Sequence, residues 1–248
     1  MAYPTDGSVH YEGVQNELDT IEFLNTIDRY TEEVKHFGGT RQKADAKAGD
    51  KCISIKRKKG IKNGSYDYGN YRIYNHIFGD IFTQFLEDVK EHRTMPQQLR
   101  EVSVDFIRKD FANLCSDALD SIKTDDLIEV LNDIFSKQSG YDIVINDTNT
   151  REIFIFDADS HPVINALKNG YVPELITSRG AKSSRKIVFK KGNDVINTGL
   201  RIRVTSNNGI TAFLGLSESN KNSQIVVKLQ QDAVGQLVID ANANHYTY

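Results

Sequence analysis

The residues best suited to do chemistry lie between positions 34 and 62, in VKHFGGTRQKADAKAGDKCISIKRKKGIK. Asp45 stands between two glycine turns, Gly38-Gly39 and Gly49-Asp50, and Ser54 and Lys56 follow on a run of alternating polarity. Successive side chains of a strand point to opposite faces, so Cys52, Ser54 and Lys56 share one face and Ile53 and Ile55 the other. A hairpin is the simplest reading, and it brings Asp45 beside Ser54 and Lys56. A carboxylate next to a lysine, flanked by Lys43, Lys47, Lys51, Arg57, Lys58, Lys59 and Lys62, suits a divalent metal and a phosphate.

These residues need elements to hold them. Upstream, Val14, Leu18, Ile21, Leu24 and Ile27 recur at spacings of three and four, the stripe of an amphipathic helix. Glu17 sits beside that stripe, with Glu12 and Glu22 as competing acids on the same segment. The first ten residues show no periodicity and read as an arm. His36 lies beside the hairpin; a lone histidine on a strand is more often packed than catalytic.

The order Asp45, eight residues, then Ser54-Ile55-Lys56 resembles the core of the PD-(D/E)XK nucleases, the motif of restriction endonucleases and of many phage and repair nucleases. Ala44 stands where the motif has proline, and Ser54 where it has a second acid. The family's first helix commonly carries an inward-facing acid near its start, and Gly13-Val14-Gln15-Asn16-Glu17 resembles that pattern. The resemblance implies an α/β (α+β) fold, with a restriction-endonuclease-like mixed central sheet flanked by helices. It also implies Mg²⁺, with Mn²⁺ as a substitute, ligated by Glu17, Asp45 and the backbone carbonyl of Ile55. Lys56 would then hold the attacking water, and Ser54, by removing one negative charge, would weaken metal affinity. The implied activity is sequence-specific hydrolysis of phosphodiester bonds in double-stranded DNA. The length is similar to that of small homodimeric restriction enzymes, so a homodimer is part of the same expectation. A nucleic-acid-binding protein with an eroded site is the alternative, favoured by Ser54. A structural or assembly protein is a third reading.

A net charge of −3 at first argues against a nucleic-acid binder, but bases crowd residues 35–72 and 179–203 while acids crowd 101–160. Segregated charge lets one face attract phosphate. Two cysteines supply neither a disulfide framework nor a zinc spacing. With no apolar run of spanning length and no signal-peptide pattern, a cytoplasmic protein of bacterial or phage type is expected. Nucleotide P-loop, HExxH and GxSxG motifs are missing from the sequence.

Beyond the hairpin, GIKNGSYDYGNYRIYN mixes Tyr66, Tyr68, Tyr71 and Tyr74 with Lys62 and Arg72, a composition suited to stacking on bases. The periodicity predicts helices over 76–93, 97–118 and 124–137, the first broken by Met95-Pro96. YDIVIND and TREIFIFDAD predict a β-hairpin, after which Asp157, Asp159 and His161 read as a strand end running into a helix N-cap or, less often, as metal ligands. Arg179, Lys182, Arg185 and Lys186 read as a flexible phosphate-binding strip, followed by strands with Arg201 and Arg203 on one face and Lys228 nearby. The expected division is a catalytic core at 11–140 with a helical extension, and a β-rich DNA-binding or dimerisation part at 141–248. The two parts are also compatible with one shared core.

Overall fold

A computed structural model describes residues 8–37, 44–58, 65–70, 74–177, 180–206, 209–217, 224–231 and 242–248. Helix α1 (Ser8–Leu24) leads into strands β1 (Val34–His36), β2 (Ala46–Ala48), β3 (Lys51–Lys58) and β4 (Ser65–Asn70). Helices α2 (Asn75–Phe78), α3 (Ile81–Arg93), α4 (Gln97–Asp120) and α5 (Thr124–Ser136) form the middle of the chain. Then follow β5 (Asp142–Asp147), β6 (Glu152–Asp157), α6 (Pro162–Lys168), β7 (Val172–Thr177), β8 (Ser184–Lys191), β9 (Asp194–Ser206), α7 (Ile210–Phe213), β10 (Ile225–Gln231) and β11 (Asn244–Thr247). The fold is of the mixed α/β (α+β) kind expected.

The first sheet has the order β1-β2-β3-β5-β6-β11. Its neighbours pair antiparallel except β3 and β5, which run parallel with Ser54 opposite Ile143 and Lys56 opposite Ile145. A parallel pair needs a long crossover, and helices α2–α5 lie in it. Gly49, with φ of 55°, closes the β2–β3 turn.

Alternation along the strands sorts the two faces. Ile53, Ile55, Val144, Ile153 and Ile155 pack with Ala46, Val34 and the α1 residues Ile21 and Leu24. On the other face Ile143, Ile145, Phe154 and Phe156 join Leu131, Ile134 and Phe135 of α5. Each such isoleucine, removed from water, contributes roughly 1.5–3 kcal/mol. Helices thus flank the sheet on both faces, and β3 is fixed from both sides.

The second sheet, β4-β10-β9-β8-β7, is antiparallel throughout. Its inner face, including Ile187, Phe189, Leu200, Ile202, Val204, Val227 and Leu229, belongs to the same apolar cluster as helices α3–α5 and the first sheet. The boundary expected near residue 140 therefore does not separate the sheets: β5 and β6 follow it yet pair into the N-terminal sheet, while β4 precedes it and pairs with β10. The helix expected over 76–93 is two helices, because Gly79 adopts φ of 58°, a left-handed conformation that ends α2. Among the described residues no helix is long and apolar enough to cross a membrane.

Candidate functional site

Where β2 meets β3, the ladder opens at Asp45. Ala46 still pairs with Ile53, but the Asp45 N–H turns to the Ile53 carbonyl at 2.9 Å and its own side chain takes the place of the next backbone acceptor. Asp45 Oδ2 accepts the Ile55 N–H at 2.6 Å and the Ser54 hydroxyl at 3.3 Å. Lys56 Nζ lies 3.9 Å from the same oxygen. Among the described residues, all three of these contacts fall on Oδ2. The Asp45 and Lys56 side chains are 23% and 18% exposed, reachable from solvent yet held by their surroundings. Since N–H and C=O of one strand residue point to the same edge, the Ile55 carbonyl is turned toward Asp45 as well.

Glu17 is not part of this group. Its carboxylate lies 3.2 Å from His36 Nε2, joining α1 to β1. His36 is opposite Ala46 in register, and the next residue, Phe37, donates its N–H to the Asp45 carbonyl at 3.0 Å. The Glu17–His36 pair is therefore one residue from the site along the hairpin, but directed to a different partner from the one expected. Among the described residues no three His, Cys, Asp or Glu side chains gather closely enough to hold a metal by themselves.

The basic residues expected to hold nucleic acid divide into several groups. Lys43, Lys59, Lys62, Arg72 and Arg179 lie outside the described residues, and Tyr66 and Tyr68 lie on β4, with Tyr68 opposite Lys228 in register. Arg57 alternates with Lys56 and Lys58 and so belongs to the α1 face of β3. Lys58 is occupied: its ammonium is 2.5 Å from Asp147 Oδ2. Burial alone would raise the Asp147 pKa, but Lys58 and the Asn149 N–H outweigh it and hold this carboxyl below the usual range.

Arg185 corrects the expectation most sharply. It is 1% exposed, and its guanidinium donates to Asp120, to the Ser116 hydroxyl and to the carbonyls of Ala181, Lys182 and Ser184. It ties the loop before β8 to α4 and has no donor directed at a surface phosphate. Lys182 is exposed and donates to Asn113 Oδ1 at 2.7 Å.

Arg201 and Arg203 do share one face, the outer face of the second sheet. Lys186 pairs with Arg201 across β8–β9, and Arg203 pairs with Lys228 across β9–β10. Arg201 reaches the Ser184 hydroxyl at 3.0 Å. Burial and repulsion from Arg203 pull the Lys228 ammonium below its ordinary value.

Asp157, Asp159 and His161 take the capping reading. Asp157 accepts the Asp159 N–H at 2.9 Å, Asp159 accepts the Gly140 N–H at 2.8 Å, and His161 Nδ1 accepts the Val163 N–H at 3.1 Å to start α6. Full burial pushes the His161 pKa down to about 3.

A charge network at the other end of β3 escaped the sequence reading. Asp142, 3% exposed in its side chain, receives Arg29 at 2.9 Å, the Tyr30 hydroxyl at 2.9 Å and Lys51 at 3.1 Å. No local signal links Arg29 and Tyr30 to a residue more than a hundred positions away. No protein-family model, curated protein or solved structure matches the chain.

Proposed function

We propose that the protein is a Mg²⁺-dependent endonuclease of the PD-(D/E)XK type that hydrolyses phosphodiester bonds in double-stranded DNA. The observation that carries this reading is the convergence of the Ser54 hydroxyl, the Ile55 N–H and the Lys56 ammonium on one oxygen of Asp45, with the Ile55 carbonyl on the same strand edge. This is a set of hard oxygen donors beside a cation, and it fits an ion that keeps several of its waters. Asp45 and the Ile55 carbonyl would hold the metal, with Glu17 joining only on leaving His36. Once bound, the ion supplies an activated water and polarises the phosphate. Lys56 orients that water and offsets the negative charge that builds on the phosphate oxygens. Ser54 holds Asp45 in place but adds no charge, so metal affinity is weak for this class. The paired cations Lys186, Arg201, Arg203 and Lys228 would track the phosphate backbone.

Incubating supercoiled plasmid with the protein and Mg²⁺ or Mn²⁺ tests the reading. Nicked or linear product is expected from the wild type and not from Asp45→Ala or Lys56→Ala. Absence of cutting by the wild type, or undiminished cutting by both variants, contradicts it. The engagement of Glu17 by His36, together with Ser54, favours a second reading: a nucleic-acid-binding protein without hydrolysis. Salt-dependent retention of DNA with no metal-dependent product would select that reading.

A further inference from the structure

The row of side chains that crosses the first sheet at the site does not end at Asp45. Ser54 stands opposite Ile143 of β5, its hydroxyl reaches Asp45, and Phe37, just after β1, donates its N–H to the Asp45 carbonyl at 3.0 Å. Neighbouring strands lie about 5 Å apart, so Phe37 is one strand spacing from Asp45. Ala46 and Ala48 pack toward α1, which turns Lys47 between them to the opposite face. There its ammonium lies 4.0 Å from the centre of the Phe37 ring, so Phe37 shares the face of Lys47 and Asp45. Burial falls along the row: Ile143 and Ser54 are buried, whereas Phe37 is 39% exposed. An ammonium over an aromatic ring is attracted to its electron-rich face and fixes the ring's orientation.

An exposed ring held by an ammonium, one strand from a carboxylate and its lysine, presents what a nucleotide engages: a surface for the face of a base and positive charge that draws its phosphate. In a paired duplex each base is covered above and below by its neighbours, so a side chain meets its face only where the base has left the stack. We propose that Phe37, fixed by Lys47, stacks on an unpaired base beside the scissile phosphate, and that the preferred substrate is therefore duplex DNA carrying an unpaired nucleotide. The proposal rests on the nuclease reading of Asp45 and Lys56 and adds the class of DNA site that is cut. Phe37 selects where the strand is held, while the attacking water remains with Lys56.

Fluorescence anisotropy in the absence of metal separates binding from hydrolysis and tests the proposal with two labelled duplexes, one fully paired and one carrying a single unpaired nucleotide. Thermal melting verifies that each variant is folded. The wild type is expected to bind the second duplex roughly tenfold more tightly, the scale of one base on one ring. Phe37→Ala should bind both duplexes equally, and Phe37→Trp should keep the preference. The chain contains no tryptophan, so in Phe37→Trp the indole emission comes from position 37 alone, and the duplex with the unpaired nucleotide should quench it. Equal affinity of the wild type for the two duplexes, a preference that survives Phe37→Ala, or unquenched emission from Phe37→Trp would overturn the stacking site, whether or not DNA is cut. If the binding results are as expected but neither duplex is cut in Mg²⁺, the nuclease reading fails and the stacking contact stands.

Discussion

The two ends of strand β3 carry charge in different ways. At its start, Asp142 is fully engaged: Lys51 meets Oδ1, while Arg29 and Tyr30 meet Oδ2. Burial draws the Arg29 and Lys51 pKa values down, but their contacts with Asp142 outweigh it and leave both above their ordinary values. Further along the strand, the contacts of Asp45 with described residues fall on one oxygen, and the lysine beside it stands at 3.9 Å. The first arrangement is what a fold uses to fix a strand, because a buried carboxylate must be satisfied on both oxygens. The second leaves capacity unused next to a cation, which is what a ligand site requires.

Substitutions at the two ends should separate activity from stability. Asp45→Ala and Lys56→Ala are expected to lower Mg²⁺-dependent DNA cleavage by at least about 10²–10³-fold, the scale of losing a preorganised charge, while urea unfolding shifts by about 1 kcal/mol or less in Lys56→Ala and by about 1–2 kcal/mol in Asp45→Ala, where the Ile55 N–H loses its acceptor. Asp142→Ala should do the reverse: about 3 kcal/mol of stability lost, with cleavage per folded molecule retained. If Asp45→Ala unfolds the protein as Asp142→Ala does, the contrast between the ends disappears.

Ser54→Asp sharpens the contrast from the open side. A second carboxylate beside Asp45 raises repulsion in the free protein and relieves it on metal binding, so Mg²⁺ affinity by calorimetry should rise about tenfold. Unchanged affinity would mean that the Asp45 edge does not take the ion.

The closed arrangement also predicts an acid response. The Asp147 pKa is lowered from 3.8 in the fold, so its contribution to stability is fully present above that value and is lost as pH falls through the lower folded value. His161 acts over a higher window: its folded pKa of about 3 lies below the model-peptide 6.5, so stability falls as pH drops from 6.5 toward 3. In Asp147→Asn the second slope should persist and the first should flatten, as read from urea midpoints between about pH 5 and pH 2.5. Identical slopes in the two proteins would contradict the assignment to Asp147.

What the sequence made legible was local. Alternation in CISIK places Ser54 and Lys56 on one face, and the same pattern finds β5 and β6. Helix periodicity finds α4 but does not say which apolar side faces the core: Ile107 and Phe111 are buried, whereas Leu99, Val102 and Phe106 are exposed. Asn16 and Thr20, polar residues of α1, are buried and accept hydrogen bonds from Asn146 at 3.3 Å and 2.9 Å. Partner choice was not legible where it depends on how distant segments cross. Glu17 meets His36 because α1 lies over β1, and Arg185 turns inward because α4 brings Asp120 and Ser116 beneath it. A basic run in sequence does not state which of its charges the fold has already used.

The most direct measurement is single-turnover cleavage of supercoiled plasmid in Mg²⁺ by the wild type, Lys56→Ala and Asp142→Ala, each at equal folded concentration. The account predicts product from the wild type and from Asp142→Ala, and none above background from Lys56→Ala. Equal rates for the wild type and Lys56→Ala, or no product from any of the three, would contradict it.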